Sequence, residues 1–391
     1  MSLLEDLTQI LEIVLPTDPS FRRIERAAID SCIRDSRRYA LDGSIEAFLL
    51  SAMRLLALPG NGHTRLIPND AICVLPLRFV SVGHSVHVVG AAPGMGVLRG
   101  ELIAVNDTAL TQIQANAATF LAGTCQRKRV IGPLLLTWPY ALKRLGCSSN
   151  GDTTEYCVQD KDGQITNLKM PNENTVPAST LYPRNEHGKA DPAWEPEKFA
   201  EIKDWQKLGL SVLLPSFFDP SESALPDAIS DAADRVSALS NNTILIDVRG
   251  NTGGDFLLTM PLIDAITQSA SKQVVVLVDK FTFSAAIVFV AILKHRLGNR
   301  LNLIGEEMGD GSMFFAEGGL INLPSSGAVV RYASAFHDWK TGTSDQTTPP
   351  EIARHIVPAG ALSLDREWVE NPTDEDAKGA FYQRVLKSVS D

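Results

Sequence analysis

After residue 205 the sequence alternates short, unbroken apolar runs with amphipathic segments, and this alternation restricts the fold more than any other feature. Leu208–Leu214, Thr243–Val248, Val274–Val278 and Leu301–Ile304 read as strands, with Ser223–Leu239, Phe256–Ile266 and Ser284–His295 as helices between them. Strand and helix alternating at this spacing imply parallel strands joined by right-handed crossovers. Runs of Val, Ile and Leu without polar alternation are what strands covered on both faces carry. An α/β domain with a parallel sheet is therefore expected over 205–391. Its last helix is expected from Asp374 to Val389, with Thr373 and Asp376 near capping-box spacing.

The preceding two hundred residues follow other patterns. Leu3, Leu4, Leu7, Ile10, Leu11, Val14 and Leu15 recur at helical spacing until Pro16 stops the run. A second helix is expected over Phe21–Ile33, and a third starts at Ser44, read as its N-cap, and runs through Phe48, Met53 and Leu58 to the Pro59-Gly-Asn-Gly62 breaker. A small helical bundle over 1–60 follows. From 61 to 170 short apolar runs separated by Gly, Pro and Asn point to a β-rich region, with strands at Val86–Val89 and Glu101–Val105 and a turn at Asn106-Asp107. Pro171, Pro177, Pro183, Pro192 and Pro196 among polar residues mark 171–204 as a linker.

Composition removes several classes of function. Apolar residues make up 44% and charged residues 21% of the 391, which excludes a disordered or fibrous chain. The net charge of −10 argues against a nucleic-acid partner, which selects for a basic face. The longest strongly apolar stretch, Phe283–Leu293, falls short of the roughly 20 residues that cross a bilayer, so no membrane partner is expected. The N-terminus lacks the basic start, apolar run and cleavage site of a signal peptide, and a cytoplasmic location is the expectation. Five cysteines without CxxC spacing, and no histidines and carboxylates at ligand spacing, predict neither a disulfide framework nor a metal, and no cofactor is expected.

In a parallel sheet, ligands bind at the edge where the loops after the strands gather. Two of those loops are chemically unusual. The first, Asp247-Val-Arg-Gly-Asn-Thr-Gly-Gly254, can turn backbone N–H groups outward to hold a developing oxyanion, or can be a plain sharp turn. The second, Asp279-Lys-Phe-Thr-Phe-Ser284, opens a helix. Ser284 there is either an N-cap or a nucleophile in the positive end of the helix dipole, with the Ala285 N–H beside it. Adjacent parallel strands would place Gly253-Gly254 and Ser284 side by side, giving donors and a nucleophile at one spot. A serine nucleophile needs a base. Spacing does not choose among the histidines: His63 ends the helical region, His295 closes a helix, His84 and His87 share a strand face, and His337 and His355 lie in loops.

These residues match a family pattern. Ile244-Leu-Ile-Asp-Val-Arg-Gly-Asn-Thr-Gly-Gly-Asp255, Val274–Val278 and Thr282-Phe-Ser-Ala-Ala286 resemble the core of the tail-specific (C-terminal processing) serine proteases. Asn61-Gly-His-Thr-Arg-Leu66 resembles the Asp-Gly-His-Thr segment of their tricorn-like and interphotoreceptor retinoid-binding-protein-like branch. Gly305-Glu306, Leu323-Pro-Ser-Ser326 and Pro349-Pro-Glu-Ile352 resemble that branch downstream, and Arg99-Gly-Glu-Leu-Ile-Ala-Val-Asn106 resembles the turn of a PDZ-like module. The resemblance runs in order over about 45–360. It implies a ClpP/crotonase-like catalytic domain over 205–391 and Ser284 as nucleophile. One branch uses a lysine base in a Gly-Lys-Gly segment, and the corresponding Gly305-Glu-Glu-Met-Gly-Asp-Gly311 has none. The histidine-using branch singles out His63. Asp345 is then the acid that orients His63, with Glu307 second, and the oxyanion hole is the N–H of Gly253 or Gly254 together with that of Ala285. The implied activity is a serine peptidase acting on peptides or unfolded proteins, with homo-oligomerisation left open.

Two departures from the pattern support a second reading. Asn61 replaces an aspartate, and the acid before Pro350-Glu351 is displaced. A binding protein on the same scaffold, holding a peptide or small apolar ligand with its chemistry retired, would tolerate both. Acyl-group chemistry on a crotonase-like sheet leaves the Thr-x-Ser-Ala-Ala segment without a role. An α/β-hydrolase would need a Gly-x-Ser-x-Gly elbow, absent around Ser284.

Overall fold

The computed structural model describes residues 2–91, 100–147, 151–181, 198–239, 242–271, 273–368 and 378–390. The chain divides into two compact units, Met1–Pro192 with Phe315–Phe336, and Ala193–Phe314 with His337–Asp391. Both are mixed α/β.

The second unit is built on a six-stranded sheet in the order Glu201–Asp204, Gly209–Leu213, Thr243–Asp247, Val274–Val278, Leu301–Gly305, Arg366–Glu367. The first pair is antiparallel and every other pair is parallel. In register, Leu245 faces Val275 and Leu277 faces Ile304. The strands expected from the apolar runs are all present, and helices at Ala224–Ser237, Met260–Gln268 and Ala285–Leu297 fill the intervals between them. All residues of Thr243–Asp247 and Val274–Val278 are buried, as strands covered on both faces must be. On one face Leu245, Val275, Leu277 and Ile304 pack against Phe381, Tyr382, Val385 and Leu386 of the last helix, Lys378–Ser390. The expected start of that helix, Thr373 to Asp376, lies outside the described residues.

The first unit has one core shared by helices and sheet. Leu7, Phe48 and Leu55 from the N-terminal helices join Val88, Leu102 and Tyr156 from a six-stranded antiparallel sheet. The 1–60 and 61–170 segments thus pack as one body. The helices are Leu3–Gln9, carried on by a π-helical stretch through Val14 to Thr17, then Arg26–Leu41 and Ile45–Ala57. Pro16 stands in the short Leu15–Thr17 piece that follows the π-helical stretch, and the chain stays helical one residue past it before Asp18 turns extended. Phe21 falls in a 3-10 turn, Pro19–Arg23, rather than in the second helix. Ser44 occupies the N-cap position of the third helix without a side-chain capping bond. The strands Ser85–Ala91 and Gly100–Val105 contain the expected ones, and Asn106 turns with φ 49°.

One segment is placed differently from its sequence reading. Within 205–391, Phe315–Phe336 belongs to the first unit, where Gly319–Asn322 and Val329–Tyr332 extend a sheet with Arg65–Ile67. Two buried aspartates pin it. Asp6 accepts the N–H groups of Ser325 and Ser326, both at 2.8 Å, and Asp18 accepts that of Ala333 at 3.0 Å. Of the 171–204 linker, the described parts form the short strand Val176–Pro177, the helical turn Ala178–Leu181 and the edge strand Glu201–Asp204. Pro183, Pro192 and Pro196 lie outside the described residues.

Candidate active site

The strand Thr243–Asp247 ends on a buried carboxylate that shapes the glycine loop after it. Asp247 Oδ1 accepts the Arg249 backbone N–H and Nε, both at 3.0 Å, and Oδ2 accepts Nη2 at 2.8 Å and the Tyr382 hydroxyl at 2.6 Å. The next residue, Gly250, donates its N–H to Asp279 Oδ1 at 2.9 Å. Asn251 then works in three directions. Its Nδ2 donates to the Leu214 carbonyl, its Oδ1 accepts the Gly253 N–H, and its carbonyl accepts the Phe283 N–H. The loop is thereby joined to the neighbouring strand on one side and to the Ser284 segment on the other.

Gly253 and Gly254 both adopt left-handed backbones, φ 105° and 137°. A Cβ on Gly253 would stand 2.7 Å from the Ser284 Cβ, and one on Gly254 1.9 Å from the carbonyl carbon and oxygen of Phe217. Only residues without side chains let these three strands of backbone approach so closely.

Ser284 itself sits at φ 57°, ψ −125°, immediately before the helix Ala285–Leu297. A non-glycine residue there costs about 1–3 kcal/mol, a cost that persists only where surrounding structure enforces it, and such residues cluster at functional sites. Its side chain makes no capping bond to the helix. The N-cap reading of this serine therefore explains its position but not its geometry. The helix it precedes is buried from Ala285 through Leu293, which leaves the turn little room to relax. Ala285, as the first helical residue, has an N–H that the helix cannot satisfy internally.

The Asp279–Ser284 segment is held from below. Asp279 Oδ1 collects the N–H groups of Gly250, Phe281 and Thr282 at 2.9–3.0 Å. Burial pushes the Asp279 carboxyl up from 3.8 to about 6, against the opposing pull of the Gly250 and Phe281 N–H groups and the charge of Lys280. Lys280 is itself buried, its Nζ 3.2 Å from Glu306 Oε2. Because the folded-state value lies above the unfolded one, the stability this group contributes is complete below pH 3.8 and is lost as pH rises through about 6. Asp279→Asn keeps the Oδ1 acceptor and removes the titration. Denaturant unfolding from pH 4 to pH 7.5 is expected to show wild type losing stability relative to this variant, and a constant difference would contradict the assignment.

His63 lies in the first unit, wholly buried, in a turn that polar bonds hold in place. Thr64 Oγ1 donates to Asp18 Oδ2 at 2.5 Å and accepts from Asn61 Nδ2 at 2.9 Å, while Asn61 Oδ1 accepts the Phe315 N–H at 3.3 Å. The Thr64 hydroxyl has one proton and Asp18 receives it, so position 61 must supply a donor. Asparagine does this where an aspartate could not. Arg65 Nη1 donates to the Gly62 carbonyl at 2.7 Å and closes the turn.

Asp345 lies in the second unit, on an exposed turn where Oδ1 accepts the Thr347 N–H and hydroxyl at 2.7 and 2.6 Å. Glu307 is exposed in the loop after Leu301–Gly305. The structure thus brings together Ser284, Ala285, Gly253 and Gly254 in the second unit. Among the other histidines, a His84 ring nitrogen is 2.7 Å from Arg129 Nη1, His295 meets the Pro358 carbonyl at 3.3 Å, and His337 stacks on Phe314. His355 lies edge-on to Phe256, with burial and then Arg354 lowering its pKa. Sequence reasoning quoted Asp247, Arg249, Asn251 and Asp279 without giving them work, and missed Tyr382 and Asp18 altogether. Beyond their own turns, Asp279, Tyr382 and Asp18 meet partners 29 to 315 residues away, and no local pattern marks such pairs.

Among the described residues no group of three or more His, Cys, Asp or Glu side chains is arranged to hold a metal, and no helix is long and apolar enough to cross a membrane. No protein-family model and no curated protein matches the sequence. Solved structures do match, a C-terminal processing protease, a putative S41 protease and the tricorn protease among them. Mature CPAF is similar with a TM-score of 0.59 at 12% identity, over 99% of this chain and 96% of that one. CPAF complexed with lactacystin gives 0.59 at 13% identity, over 99% and 97%. The photosystem II D1 C-terminal processing protease gives 0.38 at 15% identity, over 95% and 94%. In fold, this chain is similar to mature CPAF over nearly its full length.

Proposed function

We propose that the protein is a serine peptidase that hydrolyses peptide bonds in peptides or unfolded protein segments through an acyl-enzyme on Ser284. The observation that carries the reading is the Ser284 backbone, held at φ 57° against Gly253. A strained serine at the start of a buried helix, beside a glycine turn, is the arrangement acyl transfer needs. The parallel sheet with its crossover helices supports the ClpP/crotonase-like reading of this unit. The antiparallel sheet containing Gly100–Val105 supports a PDZ-like module in the other.

In this mechanism His63 takes the Ser284 Oγ proton as Oγ bonds to the scissile carbonyl carbon. It then gives that proton to the leaving amine as the C–N bond breaks, and water repeats the sequence to release the acid. The Gly253 N–H already donates to Asn251, so the oxyanion donors are the N–H groups of Gly254 and Ala285. Asp345 is proposed to orient His63, with Glu307 as the second candidate, on the sequence resemblance alone. The departure at Asn61 gives the binding-protein reading less support than it had, because the bonds of Asn61 hold the His63 turn rather than loosen it. His63→Ala is expected to slow cleavage of a disordered polypeptide by about 10²–10⁴-fold, followed as release of new amino termini at pH 7.5. Unchanged cleavage would remove His63 from the mechanism.

A further inference from the structure

The last helix meets the glycine loop through the Tyr382 hydroxyl and the Phe381 ring. Tyr382 donates to Asp247 Oδ2 at 2.6 Å, and Asp247 is the residue on which the glycine loop turns. Asp247 and Tyr382 are both buried. Beside this bond the Arg249 guanidinium, paired with the same carboxylate, lies over the Phe381 ring at 4.5 Å. Two consecutive residues of one helix thus contact the two ends of the Asp-x-Arg step that precedes Gly250. Burial and the Asp247 charge hold the Tyr382 hydroxyl in its protonated, donating form far above the ordinary phenol range.

We infer that Tyr382 is a positioning residue for the proposed peptidase reaction, the C-terminal helix setting the path of the oxyanion loop through Asp247 and Arg249. The inference rests on the reading of Ser284 and Gly254 as reacting groups. Asp247 Oδ1 accepts two donors from Arg249, and these bend the chain at Val248–Arg249 so that the Gly250 N–H meets Asp279. Oδ2 accepts from Arg249 Nη2 and from the Tyr382 hydroxyl. Removing the phenol leaves a buried carboxylate short of a donor, and such a group recruits water or shifts to recover it. Either response moves Arg249, and through Gly250 the loop that carries Gly253 and Gly254. A donor displaced by a fraction of an ångström loses rate, while substrate binding elsewhere is untouched.

Tyr382→Phe removes one oxygen and keeps the packing against Trp205 and Phe381. Two readouts decide. The variant is expected to show a kcat for peptide cleavage lower by roughly tenfold with KM within about twofold. Amide hydrogen exchange is expected to rise at Arg249–Gly254 and to stay at the wild-type rate in Val274–Val278. Phe381→Leu, which removes the ring under Arg249 and keeps apolar bulk, is expected to act in the same direction. A wild-type kcat in Tyr382→Phe, or exchange that rises evenly through the sheet, overturns the inference and leaves a structural role only. If wild type cleaves nothing, the peptidase reading fails, and an unchanged exchange rate at Arg249–Gly254 then refutes the positioning link as well.

Discussion

Ser284→Ala is expected to reduce peptide hydrolysis to background, a loss of about 10³-fold or more, because no acyl-enzyme can form. The same position offers a test of strain that is independent of activity. At φ 57° a Cβ is unfavourable, and this strain adds to the ordinary N-cap preference for glycine, so Ser284→Gly is expected to be more stable than Ser284→Ala by about 2 kcal/mol or more. At an unstrained N-cap the difference would be about 1 kcal/mol, and in a helix interior alanine would win. Equilibrium denaturation of the two variants gives the size of the difference directly. A difference of about 1 kcal/mol or less would mean that the turn relaxes, and that the nucleophile is not held under strain.

Gly254→Ala carries the largest structural penalty expected anywhere in the site. Its Cβ would be placed 1.9 Å from the Phe217 carbonyl, and that carbonyl is held by the Asp255 N–H at 2.8 Å and cannot swing aside. The φ of 137° adds backbone strain of its own. A loss above about 4 kcal/mol, or a protein that does not accumulate folded, is expected. Gly253→Ala meets the Ser284 Cβ first, at 2.7 Å, with Ala285 N and the Phe283 carbonyl oxygen farther off at 3.1 Å, and the expected result differs in kind. That variant folds with a smaller loss, and cleavage fails because the serine is pushed off its position. Thermal melts with activity measured on the folded fraction separate the two. Gly254→Ala within about 1 kcal/mol of wild type would contradict the geometry.

What the sequence made legible follows from where the partners of each residue lie. Val274–Val278 could be read because burial on both faces writes an unbroken apolar run, and Ala285–Leu297 because it is apolar all round. The neighbourhood of Gly253 and Ser284 could be read because parallel pairing of adjacent strands brings consecutive loops together, and Phe283 bonds to Asn251 across that gap. Phe315–Phe336 was opaque for the opposite reason. It is held by Asp6 and Asp18, about three hundred residues distant, and an aspartate in a short amphipathic stretch reads as surface until its backbone partners are known. Asn61 was misleading in the same way. As a departure from a motif it suggested decay, whereas its hydrogen bonds to Thr64 and Phe315 give it a specific task. Tyr382 stands in an unremarkable amphipathic helix, and only the fold reveals that its hydroxyl reaches Asp247, 135 residues away.

The central claim, that Ser284 is an activated nucleophile, is tested most directly by intact-mass measurement after exposure to a fluorophosphonate probe. Wild type is expected to gain one phosphonyl adduct per chain, mapped by peptide sequencing to Ser284, and Ser284→Ala to gain none. Folded wild type that stays unmodified, or an adduct that persists in Ser284→Ala, would contradict the account.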